Sequence, residues 1–187
     1  MLHSNYLAAT IKQFEYYKLL GEKAMQQVEE QQLFYTPDSL NNSMAMLVNH
    51  LWGNMCSRWT AFRQSDGEKP WRNRDQEFED IIQTAEELWQ KWEEGWAILF
   101  SALREIREEE LAELVYIRQQ GHTIVEAINR QLAHYAYHIG QIVLLAKLAQ
   151  GTAWNTLSIA KGGSKAYNEK KFQQDKHRGH FTDEFLK

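Results

Sequence analysis

The sequence predicts an all-α fold, a four-helix bundle followed by an irregular C-terminal tail. Apolar residues recur in steps of three and four over four long segments, which is typical of amphipathic helices. The 187 residues include only two prolines, and no segment shows the strict alternation that is typical of a strand. Four such segments of about 20–28 residues with modest connections favour a bundle.

The first predicted helix spans residues 5–32, with Ser4 or Asn5 as its N-cap. Leucine, isoleucine and aromatic residues follow one another at helical spacing through this segment. The helical pattern then stops near Pro37, because proline forces the residue before it toward an extended conformation.

The second predicted helix spans residues 42–64 and carries a continuous apolar face. That face consists of Met44, Leu47, Val48, Leu51, Met55, Trp59 and Phe62. His50 lies at the edge of the face, and Asn54 and Arg58 follow it one and two turns further along. A row of polar residues beside an apolar face predicts that this edge lines a cleft.

A polar loop and a third helix come next. Residues 65–75 form the longest predicted loop, in which we expect Trp71 to pack down and the charged residues to pair around it. The third helix begins at a capping box that starts at Thr84. This helix ends before the charge run at 107–110, and a charge run in this position predicts a solvated helix end. Residues 111–120 are compatible with either a short helix or an extended connector.

The fourth predicted helix contains two histidines that are candidate metal ligands. It runs from a capping box at Thr123 to Gly151, which stops it. His134 and His138 are four residues apart, so their Cβ atoms lie about 5–6 Å apart on one face. That face overlaps the predicted inward stripe, which contains Ile124, Ile128, Gln131, Tyr135, His138, Ile142, Leu145 and Ala149.

Two imidazoles directed into a core need partners, because an unpaired buried polar group costs about 1–3 kcal/mol. A shared metal ion satisfies both, and hydrogen bonds to neighbouring side chains are the alternative that a bare His-x-x-x-His motif leaves open. If the second and fourth helices are neighbours, His50 reaches the space in front of His134 and His138. Three imidazoles then bind one divalent ion and leave a fourth position open, as in catalytic sites.

Composition and charge exclude several classes of protein. A net charge of −4 disfavours nucleic-acid binding, and no apolar run is long enough to span a membrane. Cys56 is the single cysteine, so no intramolecular disulfide can form, and we interpret it as a small core residue. These features, with no visible signal peptide, predict a cytoplasmic protein.

The chain divides into a predicted bundle at 1–150 and a C-terminal extension at 151–187. The extension is glycine-containing and basic, and we expect Trp154, Leu157 and Ile159 to dock part of it on the bundle. His177 and His180 lie in this extension, where they are weak candidates for metal ligands.

Several motifs resemble the DinB-like superfamily. They are Asn49-His50, His134-x-x-x-His138-x-x-Gln141, Asn54-Met55, Ser57-Arg58-Trp59, the loop from Ser65 to Asp75, Glu77-Phe78, Trp154, Leu157-Ser158-Ile159 and Gly162-x-Ser164. The loop string is more specific than the histidine spacing and resembles a branch of uncharacterised bacterial proteins. The resemblance implies an up-down-down-up bundle, a metal triad of His50, His134 and His138, and a homodimer. Ala160 stands where that branch leads us to expect proline.

Characterised relatives in that superfamily include S-transferases and isomerases that use bacillithiol or mycothiol, together with metal-dependent hydrolases. The leading hypothesis is therefore a metal-dependent enzyme that transfers a low-molecular-weight thiol to an electrophile. A hydrolase, a non-catalytic metal-binding or stress-associated dimer, and a helical interaction module without metal are the alternatives. Imidazole ligands accept zinc, nickel or copper, and zinc or nickel is the favoured ion. Asn54, Arg58, Gln131 and Gln141 are candidates for supporting the ligands or contacting a small-molecule substrate.

Overall fold

The computed structural model describes residues 5–186, and helices dominate it as the sequence predicts. One antiparallel pair of strands interrupts the helical order. The helices are α1 (Tyr6–Met25), α2 (Glu30–Leu33), α3 (Met44–Trp59), α4 (Ala85–Arg104), α5 (Ile124–Gln150) and α6 (Ser164–Phe172); the strands are β1 (Leu114–Ile117) and β2 (Gln120–Thr123).

The four long helices enclose one apolar core. Helix α1 packs mainly against α5, and α3 packs mainly against α4. Helix α3 also contacts α5, and α1 also contacts α4, so each long helix has two long neighbours. Burying apolar surface stabilises this arrangement by about 25 cal/mol per Å². The largest side chains that are completely buried in this core include Phe14, Trp92, Trp96 and Tyr135.

The first helix ends earlier than the sequence pattern predicts. Helix α1 stops at Met25, and residue 29 is extended before the short helix α2 begins. The Glu29 backbone N–H donates to Gln32 Oε1 at 3.1 Å, so a local cap replaces the continuous helix. Asn5 occupies the N-cap position without a side-chain cap bond, and Ser4 lies outside the described residues.

The second helix also ends early. Helix α3 stops at Trp59 because Thr60 is extended and Ala61 has a φ of 47°, which interrupts helical backbone. The predicted apolar face is nevertheless buried along its whole length, including Phe62 beyond the helix end.

The predicted caps of the third and fourth helices are confirmed. The Glu87 backbone N–H donates to Thr84 Oγ1, and the Glu126 backbone N–H donates to Thr123 Oγ1, both at 3.2 Å. These bonds satisfy amides that have no partner inside the helix.

The residues of the predicted inward stripe of α5 are buried from Ile124 to Ile142. Beyond Ile142 the prediction is wrong. Leu145 is half-buried and Ala149 is exposed, whereas Ile139 and Ala146 are buried. The stripe therefore continues from Ile142 by a step of four residues to Ala146.

Residues 114–123 form a β-hairpin, which the all-α prediction omits. Arg118 and Gln119 occupy its two-residue turn with φ of 54° and 63°, the geometry of the turns that hairpins favour. Glycine or asparagine usually fills such positions. Here Asp66 compensates, because its carboxylate accepts the backbone N–H groups of both turn residues at 2.8 Å.

The loop at 65–75 is anchored, but not by the predicted residue. Trp71 is 60% exposed, so the expectation that it packs down is wrong. Gly67 is the buried anchor, because its carbonyl accepts from the Ser57 hydroxyl at 2.7 Å and from the Arg58 guanidinium. The predicted pairing of loop charges is present, with Arg58 Nη2 lying 3.1 Å from Glu68 Oε2.

The charge run after α4 is less solvated than predicted. Residues 108–110 form a 3-10 turn, and Glu110 is buried. Its Oε2 accepts from Arg63 Nη2 at 2.6 Å and from the Arg107 backbone N–H at 2.8 Å. The Leu7 backbone N–H donates to Glu108 Oε1, so the run ties the start of α1 to this end of the molecule.

The C-terminal extension contains a helix, α6, where the sequence predicts irregular structure. Trp154 and Leu157 pack against the core, whereas Ile159 is 41% exposed. At its end the extension lies against α1, where the Tyr16 ring contacts Phe181 and Phe185. No helix within residues 5–186 combines the length and apolar character needed to cross a membrane.

We predict that Glu110→Gln lowers the melting temperature at pH 7 and that the deficit narrows as the pH falls toward 2. The hydrogen bond from Arg63 lowers the pKa of Glu110 to about 2, below its ordinary value of 4.5. The stabilisation is therefore complete above pH 4.5 and is lost as the pH falls through 2. Thermal unfolding between pH 7 and pH 2.5 measures the difference. Glu109→Gln, at an exposed neighbour, is the matched control, and an equal deficit in both variants would contradict the assignment.

Candidate metal centre

Three histidines from two helices meet at one point. His50 projects from α3, and His134 and His138 project from α5. His134 Nε2 lies 3.1 Å from His50 Nε2 and 3.1 Å from His138 Nε2. His50 and His138 are buried, and His134 is half-buried. The packing of α3 against α5 thus brings His50 next to His134 and His138.

Neighbouring acceptors determine which ring nitrogen of each outer imidazole carries a proton. His50 Nδ1 lies 2.9 Å from the Glu77 carboxylate, and His138 Nδ1 lies 3.0 Å from Gln141 Oε1. Each Nδ1–H therefore donates outward, and in the neutral ring this leaves a lone pair on Nε2. Both lone pairs face His134 Nε2, which carries at most one proton. A single cation could be bound by the lone pairs of all three nitrogens. One proton shared among neutral rings cannot satisfy all three.

The environment keeps two of the rings neutral. Burial, with the nearby His138 and His50 as smaller causes, lowers the pKa of His134 to about 3. Burial likewise lowers the pKa of His138 to about 4, although the bond to Gln141 opposes the change. Both rings are consequently uncharged at pH 7, and the uncharged imidazole is the form that binds a metal ion.

The spacing of the nitrogens fits a small divalent ion. For metal–nitrogen bonds of about 2.0–2.1 Å in tetrahedral geometry, ligand nitrogens lie about 3.3–3.4 Å apart. The two Nε2 separations of 3.1 Å are close to that value. All three ligand nitrogens lie within 4.8 Å of one another, so His50, His134 and His138 could hold one metal ion.

Glu77 is a site residue that the sequence analysis did not assign. It is buried, and besides His50 it contacts Arg72, whose Nε donates to Oε1 at 2.6 Å and whose Nη2 donates to Oε2 at 2.8 Å. Burial opposes its ionisation, but the hydrogen bonds from His50 and Arg72 outweigh that effect and lower the pKa of Glu77. The carboxylate therefore stays charged and orients the His50 ring.

Two neighbours complete the environment of His50. A Cβ at position 53 would lie 2.5 Å from Glu77 Oε1, so Gly53 provides the space that the carboxylate occupies. Phe78 stacks on the His50 ring with centroids 4.5 Å apart. The Glu77-Phe78 motif of the DinB-like resemblance marks both residues. Because Glu77 lies 27 residues from His50 in sequence, the motif alone does not predict that its residues contact His50.

The four predicted supporting residues have different positions. Gln141 contacts His138, as described above. Asn54 accepts a hydrogen bond from the Tyr135 hydroxyl at 3.0 Å, and Arg58 binds the loop at 65–75. Gln131 is buried, and its Oε1 has no partner within residues 5–186. Asn54, Arg58 and Gln131 line the cleft described next.

A cleft of about 190 Å³ opens beside the histidines. His50 and His134 form part of its wall. Its lining is polar and rich in arginine. The lining residues are His50, Asn54, Arg58, Arg72, Arg74, Arg118, Arg130, Gln131 and His134.

The other candidate residues lie apart from this centre. Burial raises the pKa of the Cys56 thiol to about 11, so it is not a thiolate at neutral pH, in agreement with a core role. His122 Nδ1 donates to the Gln120 carbonyl at 2.9 Å within the hairpin. His177 is exposed, and His180 contacts Thr182. Within the described part of the chain, the three histidines are the group that could hold a metal.

Comparison with known proteins yields one family match. The model of a family described as "Protein of unknown function (DUF1572)" matches residues 2–163, which cover nearly the whole chain. No curated protein and no solved structure matches the chain.

We predict that Glu77→Gln lowers the affinity for a divalent ion by about 10–100-fold, the usual effect of losing a carboxylate that orients a histidine ligand. The amide keeps the shape of the side chain but removes its negative charge. Titration of metal-free protein with zinc in the presence of a competing chelator measures the affinity. Glu79→Gln, two residues away and exposed, is the control. Equal affinities in the two variants would rule out this role for Glu77.

Proposed function

The chain belongs to the DUF1572 family, within the DinB/YfiT-like superfamily, and from this membership and the three-histidine cluster we propose that it is a divalent-metal-binding enzyme. The reaction that the site supports best is transfer of a low-molecular-weight thiol to an electrophile. The observation that carries the proposal is the convergence of three Nε2 atoms beside an accessible cleft.

The histidine set suits zinc or nickel, because imidazole is a good ligand for both ions. A divalent ion supplies Lewis acidity, which lets a thiol or a water molecule ionise near neutral pH. Glu77 holds the His50 ring in position and places a negative charge behind it. Gln141 holds the His138 ring in position in the same way, but its amide is neutral.

In the proposed transfer, the thiol loses its proton, and its sulfur attacks an electrophilic carbon. With a chlorinated acceptor, a C–S bond forms, the C–Cl bond breaks, and chloride and a proton are released. Asn54 and Gln131 line the cleft in which the acceptor would lie, so we propose that they contact it. Attack by water in the same cleft would make the protein a hydrolase, and only the nucleophile separates the two reactions.

The alternative is a non-catalytic site in which the ion ties α3 to α5. That role requires no cleft. The opening of about 190 Å³ beside His50 and His134 therefore favours an enzyme over a purely structural centre.

We propose that the four long helices form an up-down-down-up bundle. Two observations support this arrangement. Each long helix contacts two others, and α3 and α5 are neighbours although α4 lies between them in sequence. Residues 1–150 would then form the bundle domain, and residues 151–187 a partly docked extension.

We also propose that the protein is a cytoplasmic homodimer. Exposed apolar residues on α5 support the dimer, because Tyr137, Leu144 and Leu148 share one helix face and are 65%, 56% and 68% exposed. Exposed apolar faces of this kind commonly mark interfaces. The free thiol of Cys56 is compatible with a reducing compartment.

We predict that protein purified without a histidine tag contains one divalent ion per chain and that His138→Ala loses both the ion and thiol-dependent turnover. The variant removes one of three ligands. Elemental analysis measures the ion, and chloride release from a chlorinated acceptor with several thiols measures turnover.

His177→Ala, at an exposed histidine outside the cluster, is the control and should retain both properties. Equal turnover in wild type and His138→Ala would exclude the cluster as the catalyst. Full metal content in wild type with no turnover on thiols, together with a melting temperature that depends on the ion, would favour the structural alternative.

The dimer is tested by changing its proposed interface. We predict that the double variant Leu144→Glu, Leu148→Glu is a monomer under conditions in which wild type is a dimer, because two buried carboxylates would destabilise an apolar contact. Light scattering coupled to size exclusion measures the mass. Leu40→Glu, at a residue that is 93% exposed, is the control. A monomeric wild type, or a dimeric double variant, would overturn this assembly.

A further inference from the structure

Five arginines line the cleft beside the histidines, a high density of positive charge in a chain whose net charge is −4. No aspartate or glutamate belongs to the lining among the described residues. The arginines come from α3, from the loop between α3 and α4, from the hairpin turn and from α5. They are Arg58, Arg72, Arg74, Arg118 and Arg130.

Carboxylates behind the lining neutralise only part of this charge. Glu68 Oε2 lies 3.1 Å from Arg58 Nη2, 3.3 Å from Arg72 Nη1 and 3.2 Å from Arg118 Nε. Glu77 is paired with Arg72 and His50. The guanidinium groups of Arg58, Arg72 and Arg118 share these two carboxylates, and the cleft keeps an excess of positive charge.

Arg74 and Arg130 are the two that form no ion pair within residues 5–186. The Arg74 guanidinium lies over the Phe78 ring at 5.6 Å, and Phe78 in turn stacks on His50. Arg130 Nη1 lies 3.2 Å from His122 Nε2. Aromatic neighbours thus hold both side chains at the cleft while most of their N–H groups stay available to a ligand.

An unpaired buried acceptor lines the same cleft. Gln131 is 3% exposed, and its Oε1 has no hydrogen-bond partner in the described structure. A buried acceptor without a partner costs about 1–3 kcal/mol, so this position favours a ligand that carries a hydrogen-bond donor in addition to its anionic group.

We infer that the substrate is a small anionic molecule whose carboxylate or phosphate group binds Arg74 and Arg130 beside the histidines. This inference rests on the proposed function, because it assigns the substrate class of the same site. Guanidinium groups bind both anions through paired, charge-assisted hydrogen bonds. A positively charged cleft also raises the local concentration of an anion. The volume of about 190 Å³ is below the 300–1,000 Å³ of drug-sized sites, which favours a small ligand.

Calorimetric titration of zinc-loaded protein tests the inference with three probes. Succinate carries carboxylates, inorganic phosphate represents the alternative anion, and succinamide is the neutral analogue of succinate. We expect at least one anion to bind at least ten times more tightly than succinamide, and to bind more weakly as salt rises from 50 to 300 mM. The stronger anion identifies the favoured group.

Arg74→Gln and Arg130→Gln should each weaken anion binding about tenfold or more. Arg104→Gln is the matched control, since this guanidinium also lies over a phenylalanine ring, Phe100 at 5.7 Å, but outside the cleft. Unchanged anion affinity in both cleft variants, or equal binding of succinate and succinamide with no binding of phosphate, would overturn the inference.

Metal content measured on the same samples separates this inference from the proposed function. A wild-type protein that binds no divalent ion would contradict the proposed function. Arginine-dependent anion binding by metal-free protein would still support the inference in that case. Normal metal content without arginine-dependent anion binding would contradict the inference alone.

Discussion

The site depends on one constraint. Three imidazole nitrogens face one another, and at most one of them carries a proton. Glu77 and Gln141 accept the outer protons of His50 and His138, so those two rings present lone pairs inward. His134 can donate to only one of them. Burial lowers the pKa of both α5 histidines, which keeps these two rings neutral. One cation resolves it, and this is why the geometry favours a metal centre over a hydrogen-bonded histidine cluster.

The long loop between α3 and α4 maintains that geometry. At one end Asp66 accepts from the hairpin turn, and Gly67 binds to α3. At the other end Glu77 binds His50, and Phe78 stacks on the same ring. The loop therefore links the hairpin, α3 and the histidines, and it also contributes arginines to the cleft. A polar, irregular segment is consequently as important for the site as the helices are.

Local patterns in the sequence predicted the parts of the fold that local physics determines. The capping boxes at Thr84 and Thr123 and the apolar face of α3 are examples. Residues stabilised from a distance were missed: the hairpin turn at Arg118 depends on Asp66, and Glu110 is buried because of Arg63. The histidine spacing in α5 identified two of the three histidines in the cluster. His50 required helix packing or the family resemblance, and only the Glu77-Phe78 motif of that resemblance pointed to Glu77.

The most direct measurement of the central claim is anomalous diffraction from crystals of the zinc- or nickel-loaded protein, recorded on both sides of the metal edge. The account predicts one anomalous peak per chain, within coordinating distance of the Nε2 atoms of His50, His134 and His138, and the peak should disappear in crystals of His134→Ala. A peak at the histidines of the C-terminal extension, or loaded crystals with no peak between α3 and α5, would contradict it.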